Sequence, residues 1–359
     1  MNRQLFFIMI MSFVIILAGI LYSCDGGNGS VTSPGTVALY LADDLSLYSN
    51  VTATINRIQL VNTGMGASCD VLTAPVAINI AELHDVMQLV AVAQCVPGNY
   101  NRVRIEFDRN ARLISGPTGT GSPCTFASYR EQGQGNQPKT LNCDPGSNRC
   151  ILDINGAVNV LASGSNKQVL DFDLKNFEVS GLGGPACAMT MMVSPISAGH
   201  MHDRGYREAV TGLISGLSIT NRTFDLTRRS RTFSVLYSGI TNTDQPEIDT
   251  LLQRAQDDRL RTKVTGSDID LANNSVIASA IVVKAEGTVS DLVTDETFTL
   301  RYGPMGERSI GVDYSNAEVD GTLMNGSWVD VKLIGHDRTT GEFLADKVEV
   351  GIPGFMTED

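Results

Sequence analysis

The stretch VPGNYNRVRIEF, residues 96–107, indicates most clearly how this chain folds. It contains Pro97-Gly98-Asn99, in which proline fixes φ and glycine accepts a positive φ, so these residue types favour a chain reversal. From Arg102 to Phe107 apolar and charged side chains then alternate, and a period of two is the pattern of a half-buried strand. The stretch therefore predicts a turn followed by a β-strand.

Alternation of this kind recurs along the first half of the chain, whereas signals for helices are sparse. The candidate strands are Val37–Leu41, Val51–Leu60, Val76–Ile80, Arg102–Phe107, Ile151–Val160, Val169–Leu174 and Met189–Ile196. Short strands with few helices are typical of two packed sheets. We therefore predict an all-β fold that begins with a β-sandwich domain at residues 36–199.

Six short motifs of this region resemble, in their order, a bacterial lipoprotein domain family of unknown function. They are LYLADDL (39–45), TATINRIQL (52–60), INIAEL (78–83), the opening stretch, VLDFDL (169–174) and VSPI (193–196). Members of that family start with a Leu-Thr-Asp stretch, carry a Pro-x-Gly-x-Tyr hairpin and close with a Leu-Asp-Phe-Asp strand. The resemblance implies a secreted β-sandwich and brings no established catalytic residue with it.

An internal repeat with a period of about 75 residues follows, and Gly212 in its first unit corresponds to Gly287 in its second. The first unit also predicts one amphipathic helix, because its apolar residues are spaced i, i+3, i+4 and i+7: Ile248, Leu251, Leu252 and Ala255. We predict two small five-stranded barrels of the OB kind, at residues 205–285 and 286–353. The repeats resemble a second bacterial family of unknown function, found in tandem in exported proteins.

The N-terminus has the pattern of an export signal. Arg3 precedes an apolar run from Leu5 to Ile20, and Leu21-Tyr22-Ser23 then leads into Cys24. This resembles a bacterial lipobox, so we predict a lipoprotein signal peptide at residues 1–23, lipidation of Cys24 and a flexible tether at residues 24–35. An uncleaved membrane anchor and plain soluble export are the alternatives. The protein is expected in the cell envelope, anchored to the outer or inner membrane, with surface exposure left open.

Charge and cysteine content restrict the partners and the compartment. The formal net charge is −12, which argues against nucleic acid, because phosphate binding needs Lys and Arg. Apart from Cys24 the sequence has an even number of cysteines, and in an exported chain these predict three disulfides: Cys69, Cys95, Cys124, Cys143, Cys150 and Cys187. We expect Cys69 to pair with Cys95 and the other four to tie one loop region.

Two clusters are candidate metal ligands. His200-Met201-His202-Asp203 would place both imidazoles on one face of a strand, as half of a zinc or copper site, or it is a solvated linker. Four aspartates could converge on calcium, although they equally suit the wet face of a strand: Asp43, Asp44, Asp171 and Asp173. We expect no cofactor, although calcium binding is left open.

The segment Ser115–Arg149 is long, rich in Gly, Pro, Gln and Asn, and carries cysteines. We expect it to form a recognition loop with Phe126, Tyr129 and Arg130 as anchors, or to be a tolerated insertion. The basic cluster at residues 227–232 reads as a hairpin tip, with lipid headgroups or acidic glycans as its alternative partners.

Signatures of hydrolases, metalloproteases, nucleotide-binding loops and covalent haem are missing from the sequence. The sequence therefore favours a non-enzymatic binding or assembly module of the cell envelope, held to the membrane by its lipid, with other envelope proteins or glycans as partners. The alternatives are a structural scaffold or adhesin component and a carbohydrate-active envelope enzyme.

Overall fold

The computed structural model describes residues 33–43, 50–83, 86–114, 122–131, 137–144, 146–181, 186–229, 231–240, 247–303 and 306–351. Within them the chain forms 24 strands and two α-helices, which confirms the all-β class. The predicted signal peptide, Cys24 and most of the predicted tether lie outside the described residues. No helix in the described ranges is long and apolar enough to cross a membrane.

Fourteen strands build the first half of the fold. They are β1 (Gly35–Ala42), β2 (Asn50–Asn62), β3 (Ala67–Leu72), β4 (Val76–Asn79), β5 (Val86–Cys95), β6 (Gly98–Asp108), β7 (Asn110–Ile114), β8 (Ser122–Glu131), β9 (Lys139–Thr140), β10 (Asn142–Asp144), β11 (Arg149–Val160), β12 (Ser165–Phe172), β13 (Glu178–Ser180) and β14 (Ala188–Ser197). Two 3-10 turns, Ile80–Leu83 and Leu174–Asn176, lie between them.

These strands pair into two connected sheets. One has the order β10-β11-β6-β2, and β3 and β4 both pair along the far side of β2. The other has the order β8-β14-β12-β1-β5. Strand β7 pairs with both β2 and β8 and so joins the two sheets. Their facing side chains form one hydrophobic core.

Strand β1 is buried on both of its faces. Leu39 and Leu41 belong to the core between the two sheets, whereas Tyr40 and Ala42 pack in a second core that continues into the C-terminal half. Successive side chains of a strand point to opposite faces, so one strand can serve two cores. The second core covers β1 from outside, and this explains why β1 is apolar almost throughout.

The C-terminal half consists of ten further strands and the two helices. They are α1 (Ala198–Asp203), β15 (Arg207–Ser218), β16 (Thr223–Arg228), β17 (Arg231–Leu236), α2 (Ile248–Asp257), β18 (Arg261–Asp270), β19 (Ser275–Val293), β20 (Thr297–Tyr302), β21 (Arg308–Asp313), β22 (Glu318–Asp320), β23 (Trp328–His336) and β24 (Phe343–Gly351). Helix α2 lies where the apolar spacing predicted it, with its four apolar residues at 0% exposure.

Strand pairings in this half close into two rings that share one strand. The first ring runs β15-β16-β17-β19-β18 and back to β15, closed by the parallel pairing of β17 with β19. The second runs β19-β20-β21-β24-β23 and back to β19. Strand β19 contributes its N-terminal part to the first ring and its C-terminal part to the second. These rings are compatible with the two small barrels that the repeat predicts.

The paired glycines of the repeat occupy equivalent places in the two rings. A Cβ on Gly212 would lie 2.4 Å from the carbonyl oxygen of Thr227, and one on Gly287 would lie 2.1 Å from that of Arg301. Both positions lie on the first strand of a ring, against the backbone of the second strand. Only glycine fits there, which is the physical reason for the match that the sequence shows.

Backbone pairing also continues from the first half of the chain into the second. Residues Arg207–Ala209 of β15 pair in parallel with Val86–Gln88 of β5. The side chains of Gln88 and Thr211 add a hydrogen bond of 3.3 Å across this junction. The first ring is therefore an extension of the sandwich sheet rather than a separate body on a linker.

Candidate functional site

The most elaborate polar site described is a buried cluster around Glu208, at the start of β15. Glu208 is fully buried, and its carboxylate accepts hydrogen bonds from the Tyr40 hydroxyl at 2.8 Å and from the Ile269 amide at 2.9 Å. The His202 Nε2 atom lies 3.0 Å from the other carboxylate oxygen. Five elements converge here, since β1, β12, α1, β15 and β18 each contribute a residue.

Lys167 of β12 supplies the positive charge of the cluster. Its Nζ atom donates to both carboxylate oxygens of Glu208, at 2.8 and 2.9 Å, and to the carbonyl oxygen of Ile269 at 2.9 Å. The same ammonium group is paired with the exposed carboxylate of Asp268. A buried charge is tolerable only when it is paired and hydrogen-bonded, and Glu208 meets both conditions.

Burial and the neighbouring charge keep the Tyr40 hydroxyl protonated. Desolvation is the larger cause, and the negative charge of Glu208 adds to it, so the pKa of Tyr40 lies well above its ordinary value of 10.0. Its proton therefore stays in the hydrogen bond to Glu208 over the whole physiological range. This hydroxyl acts as a fixed donor and not as an acid or base.

Access decides what the cluster can do chemically. Tyr40 and Glu208 have 0% exposure, Lys167 and His202 reach solvent in part, and Asp268 is exposed at the edge of the cluster. A reacting group would have to approach within hydrogen-bond distance of a catalytic acid or base, and the packed strands leave no such approach to Glu208. The arrangement suits a structural connection between the sandwich and the first ring.

A second polar cluster lies in the second ring. Lys347 is paired with Asp320 at 2.7 Å and with Glu349 at 2.9 Å, and both carboxylates are almost fully buried. Burial by itself lowers the pKa of Lys347, but the hydrogen bond to Asp320 and the charge of Glu349 outweigh it and leave that pKa well above its usual range. The ammonium group therefore stays charged and offsets one of the two buried negative charges.

Arg112 connects this second cluster to the sandwich. It lies on β7, is 6% exposed and donates to the carbonyl oxygen of Val350 at 3.2 Å. Burial lowers the pKa of Arg112, and the negative charge of Glu349 opposes this shift. The guanidinium thus bridges two parts of the chain that are 238 positions apart in sequence.

The structure corrects the predicted geometry of the histidine motif. His200 and His202 lie in α1, whose N-cap is Ser197, and not on a strand. Two positions apart in a helix, side chains point to different faces, so the two imidazoles do not form half of a metal site. His202 instead faces Glu208, while Asp203 ends the helix.

The aspartates considered for calcium have internal roles where the structure describes them. Asp43 is buried and accepts from the Leu174 amide at 2.9 Å, Asp171 lies 3.6 Å from Arg204, and Asp173 caps the 3-10 turn by accepting from the Asn176 amide. Asp44 lies outside the described residues. Among the residues described, no group of three or more His, Cys, Asp or Glu side chains is placed to hold a metal ion.

Three disulfides join the six cysteines that follow Cys24. Cys69 pairs with Cys95, as expected, and links the edge strand β3 to the end of β5. The other bonds are Cys124–Cys187, between β8 and the residue that directly precedes its parallel neighbour β14, and Cys143–Cys150, across the β10–β11 hairpin. Together they indicate an oxidising, exported environment.

The expected anchors of a recognition loop lie in a regular strand instead. Phe126 and Tyr129 belong to β8 and are buried in the sandwich core, where the Phe126 ring packs edge-on against Phe107 at 5.3 Å. Arg130 points outward but is held by Glu178 at 2.6 Å. The two aromatic side chains are therefore core residues and not surface contacts.

The basic cluster forms the hairpin tip that its composition predicts, since Arg228 of β16 pairs with Arg231 of β17. Arg231 donates to the side chain of Asn274 at 2.6 Å, and Arg229 donates to the carbonyl oxygen of Pro75 at 3.3 Å. These guanidinium groups are engaged with oxygen atoms of the protein itself, and Ser230 lies outside the described residues.

Sequence reasoning missed the Glu208 cluster entirely, because its members are spread from residue 40 to residue 269 and share no local pattern. It also missed three exposed apolar residues at turn tips: Met65, Val96 and Leu161. A partial signal for these was present, since Met65, Val96 and Leu161 each lie close to turn-forming residues such as Gly, Pro, Ser or Asn.

Comparison with known families supports part of the resemblance. Residues 34–184 match the model of a family described as Domain of unknown function (DUF4382). The match covers less than half of the chain and falls on the sandwich. No curated protein matches the chain. The lipoprotein character and the second family for the repeats stay predictions.

Proposed function

We propose that this chain is a lipid-anchored protein of the bacterial cell envelope that acts as a non-enzymatic binding or assembly module. The observation that carries the proposal is that one cysteine remains outside the disulfides of the fold. The chain has seven, six of them pair in the fold, and Cys24 is the one outside these bonds. That cysteine directly follows the lipobox-like Leu21-Tyr22-Ser23, as lipid attachment requires.

The buried charges support a role without catalysis. Glu208 and Lys347, the centres of the two clusters, are satisfied by partners within the chain. Active sites instead keep perturbed acids and bases where a substrate can contact them. We therefore favour the binding module over the carbohydrate-active enzyme as the function of this chain.

The continuous strand pairing supports a module that presents surfaces at fixed positions. Strand β5 pairs with β15, and β19 belongs to both rings. A body joined by shared sheets keeps its parts in one orientation better than domains on linkers do. A scaffold or adhesin component would use the same property, with strand edges as its contact.

Lipidation is tested first, because the rest of the proposal depends on it. Cells expressing the chain or its Cys24→Ala variant are labelled with radioactive palmitate, and the purified proteins are compared by intact mass. We expect label and an acylated N-terminal Cys24 in the parent only. A parent chain that leaves the cells unacylated would reject the anchor.

The partner class is tested on the anchored protein in cells. Chemical crosslinking and mass spectrometry identify its neighbours, the purified chain is titrated with envelope glycans, and turnover of envelope polymers is measured in parallel. A specific crosslinked protein favours the scaffold and saturable glycan binding favours recognition, whereas turnover would reject the non-enzymatic module. Protease treatment of intact cells distinguishes surface display from a periplasmic position.

A further inference from the structure

Three reverse turns meet at one end of the sandwich, and each exposes one large apolar side chain. Met65 is 73% exposed, Val96 is 68% exposed and Leu161 is 62% exposed. Single exposed apolar residues are ordinary on protein surfaces. Three of them on neighbouring turns form a shared feature, and we call these three side chains the apolar tips.

Hydrogen bonds and strand register place the three turns side by side. The Asn62 side chain, in the first turn, donates to the carbonyl oxygen of Asn99 beside the second at 2.7 Å. The second and third turns are joined because Gly98 and Val160 are partners in the β6–β11 pairing. The tips therefore share one end of the fold.

The Cys69–Cys95 disulfide fixes this end covalently. Cys69 lies just after the first turn and Cys95 directly precedes Val96. This crosslink restrains Met65 and Val96 relative to each other, and the β6–β11 pairing holds Leu161 beside them. The apolar tips are thus a fixed surface rather than three independent loops.

The sequence around the apolar tips carries no charge. Residues 62–68, 94–101 and 159–166 contain no Asp, Glu, Lys or Arg, in a chain with a formal net charge of −12. An acidic surface is repelled by anionic lipids. This neutral end is consequently free of that repulsion.

The chain also begins its fold at this end. Gly35, the first residue of β1, pairs with Cys95, and a Cβ on it would lie 2.3 Å from the carbonyl oxygen of Leu161. Only 11 residue steps separate Gly35 from Cys24, and a fully extended chain of that length spans at most about 40 Å. A lipid on Cys24 would hold the apolar tips within that distance of the bilayer.

We propose that the apolar tips dock onto the surface of the lipid bilayer and set the orientation of the anchored protein. The inference rests on the proposed anchor at Cys24. Met65, Val96 and Leu161 enter the interface between headgroups and acyl chains. The lipid supplies attachment, and the tips supply a second, weaker contact that fixes the angle.

Tryptophan reporters test this contact. The mature form, residues 24–359, carries Val96→Trp or, as the matched control, Ile277→Trp, because Ile277 is 67% exposed and lies in the first ring. Trp328, the only native tryptophan, remains in both and adds the same background. Vesicles of phosphatidylethanolamine and phosphatidylglycerol contain lipids brominated along the acyl chain, which quench tryptophan on contact.

The reporters are attached through Cys24 to a maleimide lipid, so the experiment does not depend on acylation in cells. We expect strong quenching and a blue shift for Val96→Trp and the Trp328 background alone for Ile277→Trp. Equal quenching at both positions, or none at either, would overturn the proposal. A blue shift of the Val96→Trp reporter in the absence of vesicles that grows with protein concentration would overturn the proposal and indicate contact with a second copy of the chain.

A second set of variants removes the tips. The triple variant M65S/V96S/L161S is compared with I219S/I277S/M324S, which changes three exposed apolar residues in the rings. Without any lipid attached, flotation with the same vesicles should weaken roughly tenfold for each buried tip that is lost, and the control triple should float like the parent. An equal effect of both triples contradicts the inference. A failure of palmitate labelling in cells would reject the anchor while leaving these vesicle results standing.

Discussion

Replacing Lys167 by methionine should destabilise the junction between the sandwich and the first ring. Glu208 has 0% exposure, and the Lys167 ammonium group contacts both of its carboxylate oxygens at 2.8 and 2.9 Å. Removing one partner of a buried ion pair costs about 3–5 kcal/mol, because the remaining charge stays desolvated. Lys167 is 21% exposed and His202 remains beside Glu208, so we expect about 3 kcal/mol, at the low end of that range.

The free energy of unfolding is measured with urea at neutral pH under non-reducing conditions, followed by circular dichroism. The control is Arg57→Met, which removes a pair with Asp70 whose two side chains are 40% and 39% exposed. Exposed pairs contribute about 0–1 kcal/mol. Both substitutions remove an ion pair in which two hydrogen bonds reach one carboxylate, buried in the first case and exposed in the second; Lys167→Met also removes the contacts with Asp268 and with the carbonyl oxygen of Ile269.

A second variant shows whether the uncompensated charge is the cause. Glu208→Gln in the Lys167→Met background removes the charge but keeps the shape. Its amide oxygen can accept from the Tyr40 hydroxyl and the Ile269 amide, and its amino group faces His202. We expect the double variant to be more stable than Lys167→Met alone. A loss no larger than that of Arg57→Met, or no recovery in the double variant, would refute the reasoning.

Replacing Cys124 and Cys187 by serine should lower the free energy of unfolding by about 4 kcal/mol, and replacing Cys143 and Cys150 by about 2 kcal/mol. The first loss is larger because that disulfide closes a longer loop, with sequence separations of 63 and 7. Urea unfolding of the two variants tests this order. Gly287→Ala should destabilise the rings by about 1–3 kcal/mol, because its Cβ would meet a carbonyl oxygen. Gly199→Ala is the control: its Cβ would meet nothing within 4 Å, so the thermal midpoint should be unchanged or raised. The pKa of Tyr237 is raised from 10.0 to about 12 by burial and its hydrogen bond to an aspartate. The free energy of unfolding should therefore fall as the pH rises from 10 to about 12, because the unfolded chain loses the proton first. Tyr237→Phe should make this pH dependence weaker, and an unchanged pH dependence would assign it to other groups.

The strands and one helix were predictable because their signals are local. Val37, Leu39 and Leu41 show the period of two, and Ile248 with Leu251 shows the helical spacing. Both patterns arise because some side chains of an element face a hydrophobic core and the others face solvent, and this holds for any order of the strands. The pairing order of the strands depends on contacts between distant residues, and no local pattern encodes it.

Strand β8 was missed for a compositional reason. Phe126 and Tyr129 belong to a segment whose surroundings are rich in Gly, Pro and Gln, and this composition predicted a loop. The parallel pairing of β8 with β14 turns the segment into a strand, and the same pairing brings Cys124 next to Cys187. A contact 63 positions apart in sequence thus decided both the strand and the disulfide.

The histidine motif shows the opposite case, in which a local signal was misread. His-x-His suits a strand, but Ser197 provides an N-cap and starts a helical turn at that point. The Glu208 cluster had no sequence signal of any kind, because its residues come from five elements. Buried charge pairs across a junction become visible only when the junction itself is known.

Strand β19 determines which of its side chains face the interior of each ring, because the two rings share it. From Ile281 to Val289 alternate residues of this strand face inward, for example Val283 in the first ring and Val289 in the second. Side chains of a strand repeat every two residues, so inserting a single residue between these positions would turn the inner face of the second ring outward. An insertion of two would preserve it. The length of the uninterrupted part of β19, from Ile281 to Val289, is therefore constrained by parity: the second repeat can drift in sequence, but its offset from the first changes there only in even steps.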